Sequence, residues 1–402
     1  MRILFISDTY YPHINGVYYF VCRIGPMLQE RGHEIAVIAP SSTASFTKTK
    51  IDGLDVYALP SWPVLFYPSV RIPVPVFLKS RVKKIIEDFN PDIIHLQDHF
   101  SISKAVLTIN KKLNIPIIGT NHFMPENVSV FIRNKRLKNR FENFLWKDFS
   151  KTFNRVNLVT TPTETGAKLI RPHLNVDAIA ISSGISLEEF NPLGDTNKIK
   201  EKYFIPDKPI LLFVGRLDPE KHIEEILQAV AVAIKLVDFC FIVVGKGTQK
   251  TALEKLTHQL GITGNVIFTG FVPDEDLPYF YKLSQCFIIA SIAELLSLAT
   301  LQAMASGLPV IAANAGALGE LVKHTKNGYL FNEGDITTIV KHIEIILTND
   351  SLCQEMSEKS LEYVQQHDIH KTLDAFEQLY KLQTRRSFPI RKENIINDAV
   401  NQ

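Results

Sequence analysis

The sequence of 402 residues predicts an α/β fold made of two doubly wound, Rossmann-like domains that face each other across a cleft. Three observations indicate this. Short runs rich in Val, Ile and Leu alternate with amphipathic stretches, as in parallel sheets covered by helices on both faces. The alternation pauses once near the middle of the chain. The length suits two domains of roughly 100–200 residues each.

The first series of apolar runs predicts six strands, which are RILFIS (2–7), EIAVIA (34–39), DIIHLQ (92–97), PIIGTNH (116–122), LVTTPT (158–163) and AIAISSG (178–184). A helix is predicted near 78–89, where the apolar residues share one side. Residues 57–77 contain five prolines, which exclude a regular helix or a central strand. This segment, with Trp62, Phe66 and Tyr67, is interpreted either as a loop packed on its own domain or as a contact with an acceptor or a membrane.

The second series follows a polar, irregular stretch at 186–208 that we interpret as a linker. It predicts six more strands, which are PILLFVG (209–215), FCFIVVG (239–245), NVIFTGF (265–271), CFIIAS (286–291), PVIAAN (309–314) and GYLFN (328–332). Helical patterns fill 335–383. The predicted domains are therefore residues 1–190 and 191–385, followed by a basic polar tail at 386–402.

Composition excludes several classes of protein. A net charge of +2 is too small to indicate a nucleic-acid partner. The four cysteines are scattered and suggest neither a disulfide framework nor a zinc pattern. The apolar run at the N-terminus ends at Asp8, so it predicts neither a signal peptide nor a membrane span. These observations together favour a cytoplasmic protein.

Each series has one candidate anion site, which follows the first strand of that series. In DTYYPHINGV (8–17), Gly16 precedes a helix, and glycine there lets backbone amides approach a phosphate. In GRLDPEKHIEEIL (215–227), Arg216 and Lys221 flank a strand-to-helix turn, where two cations would suit a diphosphate. The alternative interpretation of this pair is two solvated surface charges.

A candidate proton-transfer residue, His122, ends the strand in GTNHFMPEN (119–127). A histidine there can move a proton or bond a sugar hydroxyl, although a lone histidine is often structural. His95 and His99 follow the neighbouring strand. No carboxylate is spaced to complete a metal site with these three histidines, so no metal is expected.

The block SIAELLSLATLQAMASGLPVIAANAGALGELV (291–322) carries a further set of candidates. Glu294 is predicted to open a helix, with Gln302 two turns later on the same face. Leu298 and Ala299 are predicted to lie in the first turn, where free backbone amides can receive a phosphate.

Together these residues resemble the retaining glycosyltransferases of family four, which have the GT-B fold, and the resemblance runs from Met1 to about Arg385. It implies that His122 contacts the donor sugar, that Arg216 and Lys221 hold the diphosphate, and that Glu294 bonds the sugar hydroxyls. It also implies donor-binding roles for Gly16, Leu298 and Ala299 near the phosphates, the turn from Gly270 to Val272 near the base, and Gln302 near the ribose. The implied reaction keeps the anomeric configuration, needs no metal or other cofactor, and uses a nucleotide-sugar donor, most commonly a UDP-hexose such as UDP-glucose.

Gln302 departs from the family pattern, which repeats a glutamate at this place. An amide still forms hydrogen bonds, but it lacks the charge-assisted component of about 1 kcal/mol. Weaker donor binding is therefore expected. Ser297 and Ser183 are further departures, where the family commonly has glycine and asparagine.

The segment 133–155 is similar to lipid-directed family members such as diacylglycerol glucosyltransferases. It combines cations with an apolar side formed by Leu137, Phe141, Phe144 and Leu145. A basic amphipathic helix of this kind can lie on an anionic membrane, here the inner face of the cell membrane, although a core-packed helix with a solvated face has the same pattern. The cations are Arg133, Lys135, Arg136, Lys138, Arg140 and Lys147.

Three hypotheses remain open at this point. The acceptor is a lipid, or it is a soluble sugar or metabolite, or the protein binds a nucleotide sugar without catalysis, which Gln302 alone would support. A nicotinamide-dependent oxidoreductase is disfavoured because the closest glycine motif, GKGTQK (245–250), lacks the third glycine.

Overall fold

The computed structural model describes residues 1–11, 15–64, 67–125, 132 and 134–386. The chain forms two compact units. Among the described residues, the N-terminal unit contains those up to Ser183 and those from His370, and the C-terminal unit contains Gly184–Ile369. Each unit is a doubly wound α/β sheet, which confirms the predicted fold class. Every strand predicted in the two series is present.

The main sheet of the N-terminal unit has the strand order β10-β9-β8-β7-β1-β2-β4-β3. Its strands are parallel except for β3, which pairs antiparallel with β4. The strands are β1 (Arg2–Ile6), β2 (Glu34–Pro40), β3 (Thr47–Ile51), β4 (Leu54–Leu59), β7 (Ile93–Leu96), β8 (Ile117–Thr120), β9 (Leu158–Thr161) and β10 (Ala178–Ala180), and a separate pair comprises β5 (Ser61–Val64) and β6 (Tyr67–Pro73).

Helices of the N-terminal unit are α1 (Gly16–Glu30), α2 (Leu78–Phe89), α3 (Ser101–Leu113), α4 (Lys135–Phe153) and α5 (Glu164–Ile170). The Asn15 side chain caps α1 by accepting from the amide of Tyr18. Apolar residues of α2, α3 and α4, such as Val82, Ile102 and Phe153, form one buried cluster with the sheet. These three helices therefore cover the same face of the sheet.

The last helix, α14 (Ile369–Arg386), packs on the N-terminal unit, whereas the sequence assigned residues up to 385 to the C-terminal domain. Phe376 contacts Phe20 of α1 with ring centroids 5.3 Å apart. Arg31 forms ion pairs with Asp374 (2.5 Å) and Glu377 (2.9 Å). This part of the predicted domain boundary was wrong. The apolar periodicity of a helix shows that one of its faces is buried, but it does not show which sheet covers that face. Residues 387–402 of the predicted tail lie outside the described residues.

The proline-rich segment also differs from the predicted loop, because β5 and β6 form an antiparallel hairpin apart from the main sheet. Ser61 pairs with Pro73 and Trp62 with Ile72. Each strand of a two-stranded hairpin has one open edge, and a proline is tolerated where its nitrogen faces that edge. Phe66 lies outside the described residues.

In the C-terminal unit the strand order is β13-β12-β11-β14-β15-β16, with all pairings parallel. These strands are β11 (Ile210–Val214), β12 (Cys240–Val244), β13 (Val266–Gly270), β14 (Cys286–Ile289), β15 (Val310–Ala313) and β16 (Gly328–Phe331). The order reverses between β11 and β14, which makes that point the topological switch of the sheet.

The helices of this unit are α6 (Asn197–Lys202), α7 (Ile223–Ala233), α8 (Lys250–Gln259), α9 (Leu277–Lys282), α10 (Leu298–Ala305), α11 (Leu318–Leu321), α12 (Ile336–Thr348) and α13 (Asp350–Val364). The predicted linker at 186–208 is instead part of the packed unit, since Phe190, Ile199 and Ile205 are buried in its core. Over the described part of the chain, no helix is both long and apolar enough to cross a membrane.

We predict that Phe376→Ala destabilises the protein by about 3–5 kcal/mol, because it removes a buried ring that contacts α1. Gln378→Ala, at an exposed position of the same helix, should change stability by less than about 0.5 kcal/mol. Urea unfolding of both variants measures the difference. Equal effects would contradict the packing of α14 against the N-terminal sheet.

Candidate active site

The predicted donor-binding residues of the second half gather at the carboxyl edge of the C-terminal sheet. Arg216 and Lys221 follow β11, Glu294 follows β14, and the turn from Gly270 to Val272 lies at the end of β13. Strands β11 and β14 are direct neighbours. In open α/β sheets, ligands bind at this edge, next to the switch point.

Lys221 and Glu294 form a largely buried ion pair at this edge. The Lys221 Nζ lies 2.5 Å from Glu294 Oε1 and 3.4 Å from Ser291 Oγ. Both charged side chains are largely buried, and such pairs are stable only with good geometry and further hydrogen bonds. The pair therefore fixes the loop after β11 against the loop after β14.

Glu294 lies in a loop and does not open a helix, so the predicted helical alignment with Gln302 was wrong. Helix α10 begins four residues later, where the Ser297 hydroxyl caps it by accepting from the amide of Thr300. The loop is held by the Ala317 amide, which donates to the Glu294 carbonyl at 2.8 Å. Gly316 has φ +53°, and a Cβ there would lie 2.6 Å from the same carbonyl oxygen, so glycine is required.

Arg216 is held from behind by two acids. Its guanidinium pairs with Asp218 and donates to Glu220 Oε1 at 2.7 Å, while more than half of the side chain stays exposed. Asp218 is itself fixed by the amide and hydroxyl of Thr248, at 3.0 and 2.9 Å. Because a guanidinium has five N–H donors, Arg216 retains donors for an anion. The two acids were not identified from the sequence.

The GKGTQK loop after β12 supports the arginine loop and is not a dinucleotide motif. Gly245 has φ +138°, and a Cβ there would lie 1.9 Å from the carbonyl oxygen of Gly215. The Gly245 amide donates to Gly270 at 2.8 Å. Glycine thus allows the backbones of neighbouring loops to touch directly beside Arg216.

The first turn of α10 contains Leu298 and Ala299, as predicted from the sequence. Backbone amides at the start of a helix have no partner within the helix, and the helix dipole favours an anion there. One turn further on, Gln302 is buried, and its Oε1 accepts a hydrogen bond from the Tyr281 hydroxyl at 2.8 Å. Burial raises the pKa of Tyr281 well above its ordinary value, so this hydroxyl remains a donor. Tyr281 lies in no sequence motif, so this contact with Gln302 could not be predicted from the sequence.

In the N-terminal unit, His122 follows β8 at the carboxyl edge of the sheet. Its Nε2 lies 2.9 Å from Gln97 Oε1, and its ring packs on Phe20. Burial lowers the pKa of His122 to about 4, so the ring is neutral. An amide oxygen only accepts, so Nε2 carries the proton and the Nδ1 lone pair can accept a further bond. Gly16 is the first residue of α1, with open space where a Cβ would point.

His95 and His99 do not join His122 in a metal site. Both ring nitrogens of His95 are used, by the Tyr380 hydroxyl (2.8 Å) and the Thr120 hydroxyl (2.6 Å). His99 is buried among phenylalanine rings, which lowers its pKa to about 4. Within the described ranges, only one trio is spaced for a metal ion, and it lies in the other unit: His222, Glu225 and Glu333.

A buried pair of carboxyl groups, Asp8 and Asp98, was missed in the sequence. The Asp8 amide donates to Asp98 Oδ2 at 2.5 Å, and both Asp8 carboxyl oxygens lie 3.0 Å from the amide of Ile102 in α3. Burial, and then the charge of Asp98, raise the pKa of Asp8 well above its ordinary value. The pair ties the ends of β1 and β7 to the start of α3.

Two family models match the chain. Residues 14–189 match Glycosyltransferase Family 4, and residues 195–363 match Glycosyl transferases group 1. The chain belongs to the family-four glycosyltransferases.

Relatives of known function extend over most of the chain. It is 28% identical to the alpha-monoglucosyldiacylglycerol synthase of Streptococcus pneumoniae, over 90% of this chain and 82% of the relative. It is 27% identical to the synthase of the same name from Acholeplasma laidlawii, over 90% and 92%. It is 25% identical to the N-acetyl-alpha-D-glucosaminyl L-malate synthase of Bacillus anthracis, over 93% and 96%.

Solved structures confirm the GT-B fold. Sucrose-phosphate synthase from Thermosynechococcus elongatus has a TM-score of 0.79 at 18% identity, covering 96% of this chain and 99% of that one. Anabaena HepE in complex with UDP-glucose has a TM-score of 0.74 at 17% identity, covering 95% and 100%.

The neutral state of His122 predicts a pH dependence of stability. Its folded-state pKa of about 4 lies below the ordinary value of 6.5, so the unfolded chain binds more protons between these two values. The free energy of unfolding should therefore fall as the pH is lowered from about 6.5 towards 4. In His122→Gln this slope should be smaller by up to about 1.4 kcal/mol per pH unit.

Urea unfolding at several pH values measures these slopes. His258→Gln, which replaces an exposed histidine, is the matched control and should keep the slope of the parent protein. A slope that is the same in His122→Gln as in the parent would show that His122 is not buried in its neutral form.

Proposed function

We propose that this protein is a retaining, metal-independent hexosyltransferase that moves a sugar from a nucleotide diphosphate sugar, UDP-glucose or a similar donor, to a lipid acceptor such as diacylglycerol. The observation that carries this proposal is the Lys221–Glu294 pair beside Arg216 at the switch point of the C-terminal sheet. In this pair, a cation that we assign to the diphosphate lies next to a carboxylate that we assign to the sugar hydroxyls.

The leaving group requires charge neutralisation, which fixed cations provide without a metal ion. Arg216 and Lys221 are assigned to the diphosphate, together with the first-turn amides of Leu298 and Ala299. As the bond from the anomeric carbon to the phosphate oxygen breaks, negative charge develops on the diphosphate. These groups stabilise that charge.

The acceptor hydroxyl is assigned to attack from the side of the leaving group, which retains the anomeric configuration. Its oxygen forms the new bond to the anomeric carbon, and its proton passes to the departing phosphate. Glu294 is held at one oxygen by Lys221, and its other oxygen is assigned to the sugar hydroxyls. His122 is assigned to the donor sugar as a neutral hydrogen-bonding group.

Donor binding at the nucleoside is assigned to Gln302 and to the turn from Gly270 to Val272. With its oxygen held by Tyr281, Gln302 offers an uncharged amide group. A neutral hydrogen bond is about 1 kcal/mol weaker than one to a carboxylate, so the donor should bind less tightly than in relatives with a glutamate.

A lipid acceptor is supported by the surface of α4 as well as by the diacylglycerol-directed relatives. Leu137 and Phe144 are 58% and 63% exposed, and they lie on the same side of the helix as exposed Arg140 and Lys147. Phe141 and Leu145, from the predicted apolar side, are half-buried. A solvated face needs no exposed apolar side chains, whereas a helix lying on anionic lipid uses both kinds. Arg133 lies outside the described residues.

A soluble acceptor is the second candidate. It is supported by the similarity to the L-malate-directed synthase, which covers nearly the whole chain. Both candidates use the same donor site and differ only in whether lipid vesicles are needed for transfer.

We predict that Lys221→Met lowers kcat/KM for transfer by about 100- to 1000-fold, because it removes a cation that stabilises the leaving diphosphate. Glu294→Gln should also lower transfer while keeping the folded structure. Radiolabelled transfer to diacylglycerol in mixed micelles measures both. Lys326→Met, at an exposed lysine of the same unit, is the control. Activity of Lys221→Met within about twofold of the parent would contradict the assigned site.

The lipid-surface role of α4 predicts co-sedimentation with anionic vesicles. Each cation near the surface contributes about 1 kcal/mol, so R136Q/R140Q/K147Q should weaken vesicle binding by roughly 100-fold. The variant K235Q/K255Q/K326Q removes three exposed lysines of the C-terminal unit and serves as a charge-matched control. Equal binding by both triple variants, or no pelleting of the parent protein, would favour the soluble acceptor.

A further inference from the structure

We propose that the β5–β6 hairpin and the turn before α2 form an anchor that inserts apolar side chains into an anionic bilayer. We call this surface the hairpin patch and define it as Trp62, Ile72, Val76 and Phe77. The proposal rests on the proposed membrane location of the enzyme but on no step of its chemistry.

The side chains of the hairpin patch are all apolar, and all four are exposed to solvent. The exposed fractions are 57% for Trp62, 52% for Ile72, 60% for Val76 and 69% for Phe77. Trp62 and Ile72 are paired across the hairpin, so their side chains lie on the same face. Val76 and Phe77 follow within five residues. A single exposed apolar residue needs no explanation, but a group within one short segment indicates an interaction surface.

The backbone beneath the patch is firmly held. The Arg71 guanidinium donates to the hydroxyl and the carbonyl of Ser61, both at 2.8 Å. The Val74 amide donates to the Pro60 carbonyl at 2.8 Å. Phe77 adopts a left-handed conformation with φ +60°, which is strained for a residue other than glycine. An aromatic side chain is thus kept exposed at a position where glycine would relieve the strain.

The charges near the hairpin patch indicate that its partner is anionic. The first two turns of α2 carry only basic charges, with Lys79, Lys83 and Lys84 exposed. A cavity of about 600 Å³ beside Phe77 is lined by Lys79 and Lys104, and by no acidic residue among the described ones. Apolar side chains with cations on the adjoining helices match the interface of an anionic bilayer, where cations meet lipid phosphates and aromatic rings lie at the level of the headgroups.

The hairpin patch adjoins the same helical layer as the basic surface of α4. Lys104 of α3 lines the cavity beside Phe77, and its Nζ also pairs with Asp148 of α4 at 2.6 and 2.7 Å. Helices α2, α3 and α4 cover one face of the sheet. A bilayer is extended enough to contact both surfaces at once, and two weak contacts on one rigid body strengthen each other.

Trp62 gives a direct test, because the sequence contains only two tryptophans. The other, Trp146, is half-buried, and its ring is stacked on that of His173 with the ring centroids 4.1 Å apart. In Trp146→Phe, the emission of Trp62 should shift to the blue and be quenched by brominated lipid when phosphatidylglycerol-containing vesicles are added. In Trp62→Phe, the remaining emission of Trp146 should change little. Vesicles of phosphatidylcholine alone should give a smaller shift.

Phe77→Ser measures the apolar contribution, since burying one such side chain contributes about 1.5–3 kcal/mol. Partitioning to the anionic vesicles should fall by roughly 10-fold or more. Phe204→Ser is the control, because Phe204 is the most exposed phenylalanine described and lies in the C-terminal unit.

Three results would overturn the proposal. The first is unchanged Trp62 emission while the protein still pellets with vesicles, and the second is equal partitioning of the Phe77 and Phe204 variants. The third is a dimer in sedimentation velocity that Phe77→Ser abolishes, which would make the patch a contact between two copies of the chain. Transfer to detergent-solubilised diacylglycerol should be retained in Phe77→Ser, and its presence or absence in the parent tests the enzyme function separately.

Discussion

The ion pair between Lys221 and Glu294 is the interaction on which the candidate site depends. It joins the loops after two adjacent strands at the switch point of the C-terminal sheet. Charges that are largely removed from water need a partner at close range, so the loss of one charge leaves the other uncompensated. The surrounding features serve this pair: Gly316 allows the backbone contact that holds Glu294, and Ser297 starts α10 where its first amides can meet a phosphate. A cation and a carboxylate are thereby presented together.

The two units offer different chemistry at their carboxyl edges. The C-terminal edge presents charges, with Arg216 and Lys221 held by acids. The N-terminal edge presents the neutral ring of His122, which burial keeps unprotonated. A highly charged diphosphate suits the first edge, and uncharged sugar or acceptor hydroxyls suit the second. The exposed apolar and basic surfaces of the N-terminal unit fit the same assignment, since a lipid acceptor must be met at a membrane surface.

Much of the fold could be predicted from sequence because parallel strands covered on both faces are continuous apolar runs, and each such run became a strand. The candidate site was predicted for the same reason, since polar residues that follow such strands collect at one edge of the sheet. What failed depends on contacts distant in sequence. The predicted start of a helix at Glu294 was wrong, because Ser297 is the N-cap of α10. Three further contacts were not predicted because they join residues that are distant in sequence, and no local pattern indicates that such residues are close. They are the packing of α14 on the N-terminal unit, the Asp8–Asp98 pair, and the hydrogen bond from Tyr281 to Gln302.

The proposed reaction is transfer of a sugar from a nucleotide sugar to a lipid without a metal ion. The most direct measurement is a panel of UDP-glucose, UDP-galactose, UDP-N-acetylglucosamine, GDP-mannose and ADP-glucose incubated with the purified protein in EDTA, with and without diacylglycerol in anionic vesicles. The proposed reaction predicts that one donor is consumed, that the vesicles raise the rate, and that the product is a glycosyldiacylglycerol with the anomeric configuration of the donor. Absence of binding and turnover with every donor, with and without lipid, would contradict it.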